Sequence, residues 1–83
     1  MMTMGRYRHY KGAEYQVLGL ARHSETEEWL VLYRPCYGDQ GYWVRPYAMF
    51  VEHVMHPETG LQVPRFALIE ASVDARPTDD AQP

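Results

Sequence analysis

At 83 residues the chain can build one small domain but not two, and with 46% apolar and 23% charged residues its main body is excluded from being a charged, solvated coil. A formal charge of −3 excludes nucleic-acid binding through bulk charge, and a single cysteine, Cys36, excludes an intrachain disulfide and fits a reducing compartment. The start, with Arg6, Arg8 and Lys11, lacks the apolar run of a signal peptide, and no stretch approaches the roughly 20 apolar residues of a membrane span, so a soluble, cytoplasmic protein with no membrane partner is expected.

In chain order, Tyr7 to Tyr10 reads as a short extended run closed at Lys11-Gly12, where Gly12 supplies a positive φ. Glu14 to His23 is the best strand signal, alternating Tyr15, Val17, Gly19 and Ala21 on one side with Leu18 and Leu20 on the other. Ser24 to Glu27 breaks it, and Glu28 to Arg34 forms a second strand that stops at Pro35. A four-residue loop between them places His23 opposite Glu28, Arg22 beside Trp29, and Leu18 beside Tyr33, with a bulge or bend expected at Gly19.

Tyr37 to Gly41 reads as a turn, Tyr42 to Val44 as a new extended segment, and Pro46 to Phe50 as one short helical turn behind a proline that pre-sets φ. Phe50 to Met55 resumes extension, His56 to Gly60 turns, and Leu61 to Ile69 makes a final strand that Pro64 confines to an edge or splits. Residues 1–72 are thus expected as a single β-rich domain and 73–83 as a disordered acidic tail. The fold class expected is mainly β: a small SH3-like barrel or strongly curled antiparallel sheet of five to six short strands, with a small α+β arrangement as the alternative.

Little in the chain has the spacing of catalytic chemistry. Arg22-His23-Ser24-Glu25-Thr26-Glu27 is the densest polar cluster, but neighbouring strand and turn residues point in divergent directions, so a turn with Ser24 and Thr26 hydroxyls on free amides and Glu27 capping in return is the plainer reading. His53 and His56 have helical spacing where strand and turn are expected, so no metal site is assigned; no cofactor motif is present, and Cys36 reads as an inert thiol.

Arginine and aromatic residues carry more information. The body has six arginines and one lysine, and seven of the eleven rings are tyrosines. They interleave in Arg6-Tyr7-Arg8-His9-Tyr10, in Tyr33-Arg34 and in Trp43-Val44-Arg45-Pro46-Tyr47. Small β domains use such surfaces for extended peptides or single-stranded nucleic acid, so the leading expectation is a non-catalytic binding module for a peptide, nucleotide or other anionic ligand. Tyr7, His9, Tyr10, His23, Ser24, Glu25, Trp43 and Arg45 are its candidate ligand-binding residues. The rivals are a small hydrolase or transferase built on His9, His23 and Glu25, and a homo-oligomeric structural protein favoured by the thin core.

The string Gly5-x-Tyr7-x-His9-Tyr10-Lys11-Gly12, Tyr15-x-Val17, Ala21-x-His23-Ser24-Glu25-Thr26-x-Glu28, Val31-x-Tyr33, Tyr37-Gly38, Trp43-Val44-Arg45-Pro46-x-x-Met49-Phe50 and Arg65-Phe66 resembles a family of short bacterial proteins known as domain of unknown function 1653. The resemblance spans Gly5 to Ile69, with Cys36 standing where the family pattern has leucine. It implies a bacterial, stand-alone small domain and no particular activity.

Overall fold

The computed structural model describes residues 2–38 and 41–72, so the expected tail at 73–83 lies outside the described residues. The elements run β1 (Gly5–His9), β2 (Glu14–Arg22), β3 (Trp29–Pro35), β4 (Trp43–Pro46), α1 (Tyr47–Phe50), β5 (His53–Met55), β6 (Gln62–Pro64) and β7 (Phe66–Ala71). Five strands form one antiparallel sheet in the order β4-β3-β2-β1-β7, and β5 and β6 form a separate two-stranded piece. The protein is mainly β, as composition and alternation predict. The barrel form of that expectation is corrected: β4 and β7 remain the two edges of the sheet, which stays open. Among the described residues the one helix, four residues long, is too short to make a layer of its own.

Local chemistry accounts for most boundaries. Gly12 turns the chain from β1 to β2 with φ +110, a conformation that costs other residues more. Pro46, at φ −53 and ψ 136, sets up the first turn of α1 without a side-chain cap. Pro64 ends β6, and after Arg65 the chain starts β7, so the single last strand read from the sequence is divided in two.

The β2–β3 pair follows the expected register for half its length. Arg22 faces Trp29, Ala21 faces Leu30, Leu20 faces Val31 and Gly19 faces Leu32; then the register shifts, so that Val17, not Leu18, faces Tyr33. The extra residue at the shift is Leu18, which stays exposed while Val17 is buried. This bulge also corrects the expected sides: Leu20 joins Tyr15 and Val17 against the core, whereas the uninterrupted alternation would have turned Gly19 and Ala21 inward. The β2–β3 turn is corrected in its chemistry as well. His23 Nδ1 accepts the amides of Glu25 and Thr26 at 3.1 and 3.2 Å, Thr26 Oγ1 accepts that of Glu28, and Glu27 contributes a φ of +63 where a capping carboxylate was expected.

The inner face holds the core of Tyr7, Val17, Val31, Tyr33, Phe50 and Phe66, with Met2, Met4, Tyr15, Leu20 and Tyr47 packed around it. Phe50 from α1 stacks flat on Phe66 of β7, centroids 4.0 Å apart, and meets Tyr7 and Tyr33 edge-on at 5.5 and 5.6 Å. With so few aliphatic side chains inside, edge-to-face ring packing is the main cohesion of this core.

Candidate functional site

Sorting the cations by partner separates those matched to a glutamate from those that are not. Arg6 pairs with Glu70 at 3.0 Å, Arg8 with Glu14 at 2.9 Å, and Arg65 with Glu52 at 3.1 Å. The hydrogen bond from Arg8 holds the Glu14 carboxyl below its ordinary range. Arg22 donates to the Glu27 carbonyl at 2.8 Å and lies over the Trp29 ring at 4.1 Å. Arg45, like Lys11, Arg22 and Arg34, has no carboxylate partner among the described residues; its guanidinium sits 5.5 Å from the ring centre of Phe66 and donates to the Tyr33 hydroxyl at 3.4 Å.

Strand register delivers Arg45 to this place. It faces Val31 across β3–β4, in the row that points into the core, and Trp43 faces Tyr33 two positions earlier, 56% exposed. Next along the inner face stands Tyr15, edge-on to Tyr33 at 5.4 Å and to Phe66 at 5.6 Å. Its hydroxyl meets that of Tyr37 at 3.4 Å, and this hydrogen bond, with burial, pushes the Tyr15 phenol up to about 12. A cation, three phenols and an indole therefore share one partly open face.

On the far side of Phe66, His9 packs edge-on to that ring at 4.9 Å and against Tyr10 at 4.6 Å. Its Nδ1 accepts the Lys11 amide at 3.1 Å. Burial, then Arg45, Arg65 and Lys11, lower its basicity below the ordinary imidazole value. Arg8, His9, Tyr10 and His56, with residues of β6 and β7, line a cleft of about 540 Å³.

Of the residues expected from the sequence, His9, Tyr10, Trp43 and Arg45 thus stand around Phe66 or along this face and cleft. Tyr7 is buried beneath, its hydroxyl donating to the Thr3 carbonyl at 2.6 Å. From His9 and Tyr10, His23, Ser24 and Glu25 lie at the other end of β2, a nine-residue strand that puts roughly 26 Å between them, whereas Arg45, opposite Val31 and so level with Leu20, stands nearer to that loop. His9 is therefore out of hydrogen-bond reach of His23 and Glu25. Sequence reading missed Tyr15, Tyr33, Tyr37 and Phe66; the signal for the first two was inward alternation, and it was blurred by the bulge at Leu18. Among the described residues no three His, Cys, Asp or Glu side chains come together as a metal site would need, and no helix is long and apolar enough to cross a membrane.

Residues 5–68 match the model of a family described as a protein of unknown function, DUF1653. The chain is also similar to a crystal structure of a DUF1653 protein from Bordetella bronchiseptica, with 37% sequence identity and a TM-score of 0.76, over 89% of this chain and 95% of that one. No curated protein matches the chain.

Proposed function

The chain belongs to the DUF1653 family, and from that premise, with the geometry of the inner face, we propose that it is a non-catalytic binding module whose arginine–aromatic surface takes an anionic ligand such as an acidic peptide or a nucleotide. One observation carries the reading: Arg45 is held on Phe66 and Tyr33 with no carboxylate paired to it among the described residues, in the same inner-face row as Trp43 and next to Tyr15 and Tyr37. A guanidinium immobilised on a ring keeps its fork free for a carboxylate or phosphate and has already lost much of its conformational freedom. The hydroxyls of Tyr15 and Tyr37 supply further donors, and Trp43 a stacking surface.

The test is a titration of the labelled protein with AMP and with a blocked acidic tripeptide, followed in amide and indole NMR spectra. Saturable shifts at Trp43 and Arg45 are expected from at least one of them. Arg45→Gln, folded by the same spectra, is expected to weaken that binding about tenfold, the usual scale for one charge-assisted hydrogen bond. Unchanged affinity in Arg45→Gln, or no saturable shift at millimolar ligand, would refute the reading.

A further inference from the structure

We infer that the cleft beside β7 receives an extended acidic peptide, which adds as a sixth strand to the open edge of the sheet. The inference rests on the anion-binding reading above and names the partner. β7 is the last strand of the sheet, and among the described residues nothing pairs with its outer side. Such an edge leaves a row of N–H and C=O groups unpaired, and native sheets usually blunt it with proline, lysine or other charges. β7 is not blunted in this way. Phe66–Ala71 contains neither proline nor lysine, its one charge, Glu70, is taken up by Arg6 at 3.0 Å, and Leu68 and Ile69 are exposed.

A wall stands opposite this edge. Ala67, Leu68 and Ile69 line one side of the 540 Å³ cleft, and Val63 and Pro64 of β6 line the other. That leaves room beside β7 for an occupant that pairs along three residues, roughly 10 Å of strand. Both side walls are apolar, and an added strand would satisfy the free backbone groups between them.

Charge sets the occupant's sign. Arg8, His9, Tyr10 and His56 also line the cleft, and in both histidines Nδ1 already accepts a backbone amide at 3.1 Å, from Lys11 and from Glu58, which leaves an Nε2–H to donate. Arg8 in the lining and the Lys11 ammonium 5.8 Å over the Tyr10 ring make this part of the cleft favour a carboxylate.

The test uses the full chain, a blocked hexapeptide of alternating valine and threonine ending in two aspartates, the same peptide ending in two asparagines, and a form with proline in its centre. Amide hydrogen exchange is read residue by residue. The expected result is new protection of outward-facing β7 amides by the acidic peptide, at least tenfold tighter binding than its asparagine form, and no protection by the proline form. Ile69→Glu, which sets a like charge on an exposed part of the edge, should weaken the acidic peptide at least tenfold without unfolding the sheet. Binding that shifts Trp43 and Arg45 but leaves β7 exchange unchanged would overturn the strand addition while leaving the anion-binding reading in place. Protection of β7 by both charged and asparagine forms with equal affinity would overturn the acidic assignment and count against that reading too. Protection already present in the free chain would overturn the proposal, in favour of a second copy if it grows with protein concentration and of residues 73–83 if it does not.

Discussion

Two residues hold positions that their neighbours would not tolerate being changed. Gly5 lies between β2 and β7, at φ +148, and a Cβ added there would run into the Glu70 carbonyl oxygen, with the Ala71 Cα 2.9 Å away. Both obstacles are backbone, so the strand itself would have to move. Gly5→Ala is expected to cost about 2 kcal/mol or more, read as a lower urea midpoint with little change in slope. Tyr15 makes a different kind of demand. Its phenol, pushed up to about 12 by the Tyr37 hydrogen bond and burial, ionises more readily unfolded than folded. The stability this confers is complete below about pH 10, where neither form ionises, and is lost as pH rises through the folded value. Carbon-13 tyrosine spectra should show Tyr15 titrating last among the partly exposed phenols, and Tyr37→Phe should bring its titration down, because it removes the largest cause. A Tyr15 titration unmoved by that change would refute the hydrogen bond.

At the scale of elements, three turns share one device. His9, His23 and His56 each turn Nδ1 onto the amide two residues ahead, closing the β1–β2, β2–β3 and β5–β6 connections. This is the role an asparagine or aspartate side chain plays in an Asx-turn. Reading the sequence gave the turns their places and assigned the β2–β3 acceptors to the Ser24 and Thr26 hydroxyls; Thr26 does accept the Glu28 amide, but the amides of Glu25 and Thr26 go to His23, a role the sequence hides because a side chain as large as imidazole is not among the usual turn formers. His23→Ala leaves two amides to water and should cost about 0.5–1 kcal/mol, with His23→Asn restoring most of it. For His9 the device also depends on pH. Its folded basicity is lowered, first by burial and then by the three nearby cations, so its contribution is complete above the ordinary value of 6.5 and lost as pH falls through the lower folded value. The urea midpoint should therefore drop between about pH 7.5 and about pH 5, and His9→Asn, which keeps an acceptor but cannot titrate, should flatten part of that slope. The bulge at Leu18 was legible only in outline. Gly19 signalled an irregularity, yet the register beyond it depends on which residue is extruded, and that is settled by packing of Val17 and Leu20 on the core, a contact between distant parts of the chain.

The whole molecule rests on very few buried side chains. Among the described residues six make the core, and four of them are rings that pack edge-on except for the flat Phe50–Phe66 stack, so the removal of any one strips contacts from the others. Which rings would meet was not legible in the sequence, since Phe50 and Phe66 come together across sixteen positions and two separate elements. Phe50 is the keystone of the arrangement: it is 1% exposed, it is the buried residue through which α1 reaches the sheet, and it supports Phe66, on which Arg45 and His9 both lie. A domain of about 70 residues has a total stability of roughly 4–10 kcal/mol. Phe50→Ala removes about 3–5 kcal/mol of that, a loss as large as the smaller of those totals. Circular dichroism and thermal melting should therefore find Phe50→Ala largely unfolded or melting far below the parent, while Phe50→Leu, which leaves a smaller cavity, stays folded at a reduced midpoint. In the folded Phe50→Leu protein the Phe66 ring loses its stacked support, so the Trp43 and Arg45 resonances should shift and anion binding weaken although neither residue is touched. If both variants melted within a few degrees of the parent, the face that carries Arg45 would have to be held by something other than this stack.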